Sequence, residues 1–256
     1  MAWNQALIMI GSLAAIFGVW SGGRHNHAPQ KSRSTRRYSF MTSPRAVTPD
    51  TDELIGLPLR QPIKRCLDIV VSGILIVFVL PLMAAIALII RLDSSGPAFF
   101  NQARVGRNGQ TFIMLKFRTM RNAAEDEPER WALPDDPRVT RFGKWLRRAH
   151  LDELPQLFNI FKGDMSLVGP RPEQPSIAAM LAKEISDYPL RLAARPGLTG
   201  WAQVNEPYAA SVEASREKLT YDLYYLRHHS LWFDIQILAR TVSVVGEGLW
   251  PWRKTR

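Results

Sequence analysis

Cysteine is nearly absent from this chain. Cys66 is the only one among 256 residues, which excludes an internal disulfide and is typical of a reducing compartment. The five histidines are scattered, so a structural zinc site is not expected.

Acidic residues are outnumbered, with 23 Asp and Glu against 33 Lys and Arg and a formal charge of +10. This excess indicates either a solvated basic face or an anionic partner, namely nucleic acid, phospholipid headgroups or a phosphorylated substrate.

The N-terminal region divides into an apolar part and a basic part. Residues 6–20 carry no charge, but the run is long enough to cross a bilayer only if it is counted from residue 1 to residue 23. Residues 21–50 contain six basic residues and a single acidic one, in a composition too polar to order itself. We expect a membrane segment at residues 1–22, either spanning or lying on the surface, and a basic disordered linker at residues 23–60.

A second uncharged stretch, residues 69–90, has 22 residues and is long enough for a membrane helix. A buried core helix is the alternative interpretation. Pro81 lies near the middle, where a proline removes a backbone hydrogen bond and bends the helix. Basic residues flank both ends, which favours the cytoplasmic side for both. These features predict a re-entrant membrane helix at residues 61–95 that is kinked at Pro81.

Two short strands are predicted after this helix, at residues 98–102 and 111–118, with a basic hairpin turn at residues 104–109 between them. Lys116 and Arg118 are two residues apart and would point to the same face of a strand. Two cations on one face suit a phosphate clamp, although a solvated strand edge explains them equally well.

The predicted fold class is α+β. A re-entrant membrane helix is followed by a mostly helical cytoplasmic catalytic domain at residues 96–245, with a small β element and amphipathic interfacial helices. Residues 139–148 are one such basic amphipathic helix, able to lie in a membrane interface and to pack on the core. A basic tail at residues 246–256 ends the chain.

An acidic pair, Asp152 and Glu153, precedes a short apolar helix that Gly163 is predicted to end. Asp152 suits the N-cap of that helix, which would be a purely structural role. A helix N-terminus also favours anions, and with Arg147 and Arg148 nearby it would keep Asp152 ionised. An ionised carboxylate can attack phosphorus or bind a divalent cation, so the pair is a candidate for catalysis and Asp152 for metal binding.

Three further patterns supply candidate substrate-binding residues. Arg171 stands between two prolines, which restrict the backbone and leave the guanidinium little entropy to lose. Arg195 opens a glycine-rich turn that contains a tryptophan, and Asp222 lies in a tyrosine cluster. Each pattern also suits a plain turn or a strip of core. Together with the acidic pair, they provide the carboxylates, arginines and tight turns that phosphoryl transfer requires.

Four motifs occur in a recognisable order: KFRTM at 116–120, LDELPQL at 151–157, GPRP at 169–172 and RPGLTGW at 195–201. With them the chain resembles the bacterial sugar transferase family, the monotopic phosphoglycosyl transferases, over roughly residues 60–245. PYAASVE at 207–213 and KLTYDLYY at 218–225 are most similar to the exopolysaccharide subgroup.

The resemblance implies transfer of a hexose-1-phosphate from a UDP-sugar to undecaprenyl phosphate with release of UMP, the initiating step of exopolysaccharide or related glycan synthesis. UDP-glucose or UDP-galactose is the donor that the subgroup suggests. A covalent phosphosugar would form on Asp152, with Glu153 as its catalytic partner and Mg²⁺ as a cofactor bound at Asp152. The residues expected around the substrates are Lys116, Arg118, Arg147, Arg171, Arg195 and Asp222.

The resemblance also implies a location and a set of partners. The chain would lie at the bacterial inner membrane with its catalytic domain on the cytoplasmic face. Its partners would be the UDP-sugar, undecaprenyl phosphate and membrane phospholipids, but no nucleic acid. Whether it forms a homo-oligomer is left open.

Three positions depart from the family pattern. Leu80 stands where a serine often precedes the proline, His150 replaces a common Ser or Thr, and Asn205-Glu206-Pro207 replaces an Asn-Gly turn.

Two other functions remain alternatives to the one that the resemblance implies. The chain could be a glycosyltransferase that moves the bare sugar, or a basic membrane-anchored adaptor of a polysaccharide assembly complex without catalytic activity.

Overall fold

The computed structural model of the protein describes residues 60–121, 136–205 and 211–249. Four predictions lie wholly or mostly outside these residues: the membrane segment at 1–22, the linker at 23–60, the turn at 205–207 and the tail at 246–256. The division of the chain into domains therefore stays a prediction.

The described part of the chain contains seven α-helices and four short strands. The helices are α1 (Arg60–Asp93), α2 (Arg141–Arg148), α3 (Gln156–Lys162), α4 (Pro175–Glu184), α5 (Trp201–Asn205), α6 (Val212–His228) and α7 (Leu231–Leu249). The strands are β1 (Phe99–Val105), β2 (Thr111–Phe117), β3 (Ser166–Val168) and β4 (Gly197–Thr199). A mostly helical fold with small sheets confirms the α+β prediction.

Helix α1 is the one helix in the described ranges that is long and apolar enough to cross a membrane, over Pro62–Asp93. Only 22 % of its most apolar window is buried. Phe78 and Leu92 are 77 % and 79 % exposed. A soluble core helix would bury such side chains, so α1 is better suited to an apolar solvent. Its helical backbone continues through Pro81 without interruption, and the re-entrant path stays a prediction.

Strands β1 and β2 form an antiparallel hairpin in which Val105 lies opposite Thr111. The two predicted strands are confirmed with shifted ends, since β1 continues to Val105 and β2 ends one residue before Arg118. Asn108 and Gly109 have φ values of 55° and 75° in the connecting turn. Asn and Gly adopt this left-handed backbone most readily, so the turn is built from suitable residues.

Strands β3 and β4 are parallel, with Ser166 opposite Gly197. Their pairing continues into the loops, where Gly169 N–H donates to Thr199 O at 2.9 Å and Gly197 N–H donates to Pro170 O at 3.0 Å. Side chains at Gly169 or Gly197 would overlap the facing backbone. The GPRP and RPGLTGW motifs are therefore two halves of one tightly packed structure.

Two clusters of buried apolar side chains form the core. One contains Leu181 and Leu219 and joins β1, α4 and α6. The other contains Ile160, Met165 and Ile237, none of which is exposed, and joins α3, β3 and α7. Each fully buried side chain of this size contributes roughly 1.5–3 kcal/mol to stability. These clusters fix the elements from which the motif loops emerge.

Helix α2 confirms the helix predicted at residues 139–148, although it begins at Arg141. Thr140 caps it, because its Oγ1 accepts a hydrogen bond from Gly143 N–H at 2.9 Å. Leu146 is fully buried, whereas Trp145 is 51 % exposed. The helix thus has an inner apolar side and an outer aromatic one, and its place in a membrane interface stays a prediction.

We predict that Gly143→Ala destabilises the protein, because the added Cβ would overlap Thr119 O on the neighbouring backbone. Overpacking of this kind costs about 1–3 kcal/mol. Urea unfolding in detergent, followed by circular dichroism, measures the change. Gly246→Ala in α7 is the matched control, since nothing lies within 4 Å of its added Cβ, and it should be neutral or stabilising by up to about 1 kcal/mol. Equal stabilities of the two variants would contradict the close contact.

Candidate active site

The acidic pair lies in a separate turn before α3. Leu151–Glu153 is a short 3-10 helix, in which Glu153 N–H donates to His150 O at 3.3 Å. Helix α3 begins only at Gln156, with Pro155 in the N-cap position. The predicted N-cap role of Asp152 is therefore wrong, because the chain closes its own turn before the helix starts.

Two left-handed residues bracket this region. His150 has φ 54°, a conformation in which His, Asn and Asp are enriched and β-branched residues are strained. A threonine at this position would be less suited to the backbone than the histidine. Gly163 has φ 107° and ends α3, which confirms the predicted helix stop.

Glu153 is held by two cations. Its Oε1 lies 2.9 Å from Lys116 Nζ and 2.7 Å from an Arg171 guanidinium nitrogen. Burial would raise the pKa of Glu153, but Arg171 and Lys116 outweigh burial and hold it well below its usual range. Glu153 is therefore held in its ionised form near neutral pH, where its low pKa makes it a weak proton acceptor.

Asp152 has the opposite surroundings. It is 9 % exposed, and no described residue donates a hydrogen bond to its carboxylate. Burial and the neighbouring Glu153 raise the pKa of Asp152, while Lys116 and Arg147 lower it. The sequence interpretation expected nearby arginines and a helix N-terminus to keep Asp152 ionised. Arg147 does lower the pKa of Asp152, but burial and Glu153 outweigh it, and the ionisation of Asp152 stays a prediction.

Arg147 and Arg148 occupy different surroundings although they are adjacent. Arg147 Nε donates to Thr119 Oγ1 at 2.8 Å, which fixes the guanidinium near Asp152. Arg148 is exposed. Of the two arginines that the sequence placed beside the acidic pair, only Arg147 therefore influences the pKa of Asp152.

Arg171 is supported from behind by a buried ion pair. Arg191 and Asp222 are 2.7 Å apart and 4 % and 1 % exposed, and Arg191 also donates to Arg171 O at 2.9 Å. Asp222 thus positions Arg171 through Arg191. The sequence analysis did not identify Arg191, because nothing in the local sequence pattern around it marks it as a site residue. The Oδ1 atom of Asp222 is buried without a donor among the described residues, and the predicted contact of Asp222 with substrate stays a prediction.

Glu173 forms a second missed network, two residues after Arg171. Its carboxylate lies 3.0 Å from Lys218 Nζ and 3.8 Å from Arg104. Burial would raise the pKa of Glu173, but Lys218 and Arg191 lower it. These contacts attach the loop that carries Arg171 to β1 and α6.

Arg118 and Arg195 have partners elsewhere. The Arg118 guanidinium donates to Ser95 O at 2.6 Å and to Ser94 O at 2.7 Å, which ties β2 to the end of α1. Lys116 and Arg118 therefore bind different groups. Arg195 Nε donates to Gly163 O at 3.2 Å, and Arg195 forms no ion pair with the acidic residues of the described ranges. Their predicted roles in substrate binding stay predictions.

Charged residues at the start of α1 attach this helix to the domain. Lys64 Nζ lies 2.5 Å from an Asp234 oxygen on α7, and Arg65 donates to two carbonyls at the end of α3. Asp68 is buried and accepts a hydrogen bond from Leu167 N–H on β3 at 3.0 Å. The sequence interpretation treated these cations only as flanking charge and missed Asp68, although an acid beside an apolar run is a signal for such a contact.

Asp152 is the residue at which a magnesium site is predicted. The described residues contain no group of three or more His, Cys, Asp and Glu that could hold a metal. Mg²⁺, however, is commonly bound through one or two carboxylates together with substrate phosphates and water. Within the described ranges no residue donates a hydrogen bond to the Asp152 carboxylate, so its oxygens fit a site of that kind.

Comparisons with known proteins agree with the four motifs. The family described as Bacterial sugar transferase matches residues 59–248. A UDP-N-acetylgalactosamine-undecaprenyl-phosphate N-acetylgalactosaminephosphotransferase of Aeromonas hydrophila is 44 % identical over 195 residues, covering 76 % of this chain and 46 % of the relative. UDP-glucose:undecaprenyl-phosphate glucose-1-phosphate transferases are 46 % identical in Caulobacter vibrioides (70 % of this chain, 68 % of the relative) and 40 % identical in Escherichia coli (72 % and 40 %).

The alignment with the Aeromonas and Escherichia proteins thus spans about half of their length or less. The matched region of this chain nevertheless includes α1, the acidic pair and both arginine motifs. This chain belongs to the bacterial sugar transferase family.

Proposed function

We propose that this chain transfers a hexose-1-phosphate from a UDP-sugar to undecaprenyl phosphate and releases UMP, as an initiating step of exopolysaccharide or related glycan synthesis. The names of the relatives describe this type of reaction, with N-acetylgalactosamine in one and glucose in two. Because the sugars differ, the proposal extends to the hexose class and no further. The observation that carries it is the buried Asp152 carboxylate, to which no described residue donates a hydrogen bond and on which the charges of Lys116 and Arg147 act.

In the proposed first step, an Asp152 oxygen attacks the sugar-bearing phosphorus of the UDP-sugar. An oxygen–phosphorus bond forms, and the bond from that phosphorus to the bridging oxygen breaks. The electron pair of the broken bond leaves with UMP, and an aspartyl-phosphosugar remains on the enzyme. Asp152 suits this role because a carboxylate without hydrogen-bond donors is a better nucleophile than a solvated one.

The neighbouring charges divide the remaining tasks. Glu153 stays ionised and keeps Lys116 and Arg171 in fixed positions at 2.9 Å and 2.7 Å from its Oε1. Preorganised cations stabilise negative charge that develops on a transferring phosphoryl group, because they need no reorganisation during the reaction. Arg147 adds a further positive charge near Asp152.

We include Mg²⁺ in this proposal as a cofactor held by Asp152 and the substrate phosphates. When bound, it would offset the charge of the diphosphate and favour departure of UMP. Lys116, Arg147 and Arg171 act in the same direction through their own charges. Their combined effect lets an anionic nucleophile approach an anionic substrate.

In the proposed second step, a phosphate oxygen of undecaprenyl phosphate attacks the same phosphorus and releases the Asp152 carboxylate. The acceptor is a lipid, so the site must lie close to a bilayer. Helix α1 supports such a position, since its exposed apolar side chains suit lipid and its first turns are attached to α3, β3 and α7. We propose the bacterial inner membrane as the location, with the site on the cytoplasmic face.

A re-entrant path for α1 is part of the proposal. A straight helix of 34 residues is about 50 Å long, more than the ~30 Å apolar core of a bilayer. A straight crossing would carry Ser94 and Ser95 away from the domain. Their carbonyls instead accept hydrogen bonds from Arg118, and Arg65 at the other end contacts α3. Contacts of one domain with both ends support a helix that enters and leaves on one face, bent at Pro81.

The reaction is tested with purified full-length protein, undecaprenyl phosphate, Mg²⁺, and UDP-glucose or UDP-N-acetylgalactosamine. We expect UMP release that Asp152→Asn lowers by about three orders of magnitude or more, since an amide cannot act as the nucleophile. Asp187→Asn, which alters an exposed aspartate, is the control. Release of UDP, or an active Asp152→Asn variant, would refute the mechanism. If no nucleotide is released with any donor, the alternative of a membrane-anchored adaptor without catalytic activity is favoured.

The pH dependence follows from the surroundings of Asp152. Its pKa is raised, so the active carboxylate is lost as the pH falls through a value higher than that of a free aspartate. Arg147 opposes this shift, and Arg147→Gln should therefore move the acid limb of the pH–rate profile to higher pH. Arg148→Gln, at an exposed neighbour, should leave the limb in place. Equal profiles for both variants would show that Arg147 does not influence the nucleophile.

The path of α1 is tested by cysteine labelling in a Cys66→Ala background, since Cys66 is exposed. Pro62→Cys and Ser95→Cys flank the apolar part of the helix. With a membrane-impermeant maleimide, we expect both cysteines to react from the cytoplasmic side only. Reaction from opposite faces would eliminate the re-entrant path.

A further inference from the structure

Gln156 follows the acidic pair in the chain and has no part in the proposed chemistry so far. It is the first residue of α3 and is 1 % exposed, less than Asp152 at 9 %. Its Nε2 atom is buried and has no acceptor among the described residues. Buried amide groups are nearly always hydrogen-bonded, because a donor that leaves water without gaining an acceptor is unfavourable. An acceptor that arrives with a ligand would remove this cost.

The backbone places Gln156 one turn after Asp152 and Glu153. The turn that carries the pair is closed by a bond between residues three apart, in which Leu154 N–H donates to Leu151 O at 3.3 Å. Side chains three residues apart lie on the same side of such a turn, and helical side chains point back toward the N-terminus. We therefore expect the Gln156 amide to be directed toward the acidic pair.

Neither carboxylate of the pair accepts a hydrogen bond from Gln156. Glu153 is bound by Lys116 and Arg171 at 2.9 Å and 2.7 Å, and no described residue donates to Asp152. An unpaired neutral donor thus lies one turn from the proposed nucleophile. In the proposed reaction, the acceptors that reach this place are the oxygens of the sugar-bearing phosphate.

We propose that Gln156 is a further catalytic residue, whose Nε2–H donates to a non-bridging oxygen of the phosphoryl group that Asp152 receives. The proposal rests on the proposed function, because that group comes from the UDP-sugar. Negative charge is spread over these oxygens in the transition state of phosphoryl transfer. A donor that burial holds in place stabilises such charge without reorganisation. The bond forms only with the phosphoryl group present, which accounts for the unpaired amide.

The first test is the stability of the free protein. Gln156→Met removes the donor and keeps a side chain of similar length. Because an apolar group suits a buried position better than an unpaired donor, the melting temperature should be unchanged or raised. Gln203→Met is the matched control, since Gln203 Nε2 donates to Leu198 O at 3.2 Å and the change removes a formed bond. If both variants lose stability equally, the Gln156 amide is paired in the free protein and the proposal is overturned.

The second test is UMP release in a single turnover, with the full-length protein in excess over UDP-glucose or UDP-N-acetylgalactosamine. We expect Gln156→Met to lower the maximal rate roughly a hundredfold, as for loss of one preorganised donor, with little change in the half-saturating concentration. Gln236→Met, on the exposed side of α7, should release UMP at the wild-type rate. A folded Gln156→Met variant with an unchanged maximal rate would overturn the proposal, whatever its half-saturating concentration.

The two proposals fail in different ways. If the wild-type protein releases no UMP with any UDP-hexose, the proposed function is refuted, and the role of Gln156 with it. If the wild-type protein releases UMP and Gln156→Met releases it equally fast, only the role of Gln156 is refuted.

Discussion

The buried, ionised Glu153 between Lys116 and Arg171 is the interaction on which the candidate site depends. An unpaired carboxylate in this position would be strongly destabilising, and the two cations offset its desolvation. The pairing also has a geometric consequence. Lys116 comes from β2, Arg171 from the loop after β3, and Glu153 from the turn before α3, so three distant parts of the chain meet at one carboxylate.

The same interaction gives its neighbour a different chemistry. Because Glu153 has both cations as direct partners, no described residue donates a hydrogen bond to Asp152, and Lys116 and Arg147 act on it only through their charge. Adjacent carboxylates with opposite pKa shifts have different roles, one as a fixed anion and one as a reactive group. The Arg191–Asp222 pair holds the backbone of Arg171 through a hydrogen bond from Arg191. Arg171 is therefore fixed both at its guanidinium, by Glu153, and at its backbone, by Arg191.

Helix α1 and the candidate site are connected through β3. Asp68 of α1 accepts a hydrogen bond from Leu167 on β3, and the loop after β3 carries Arg171. Lys64 fastens the same end of α1 to α7. A basic residue before the apolar run, such as Lys64, therefore stabilises the fold, in addition to favouring the cytoplasmic side of a membrane.

The sequence by itself determined the α+β class, the apolar helix, the hairpin, the helix stop at Gly163 and the identity of the acidic pair, because periodicity, turn residues and motif order are local signals. It did not determine which cation meets which carboxylate. Arg118 and Arg195 looked equivalent to Lys116 and Arg171, and only the tertiary structure directed them to backbone carbonyls instead. The roles of Asp68 and Arg191, and the opposite pKa shifts of Asp152 and Glu153, were likewise decided by contacts between distant segments. Burial and electrostatic pairing depend on neighbours in space, which a linear sequence does not specify.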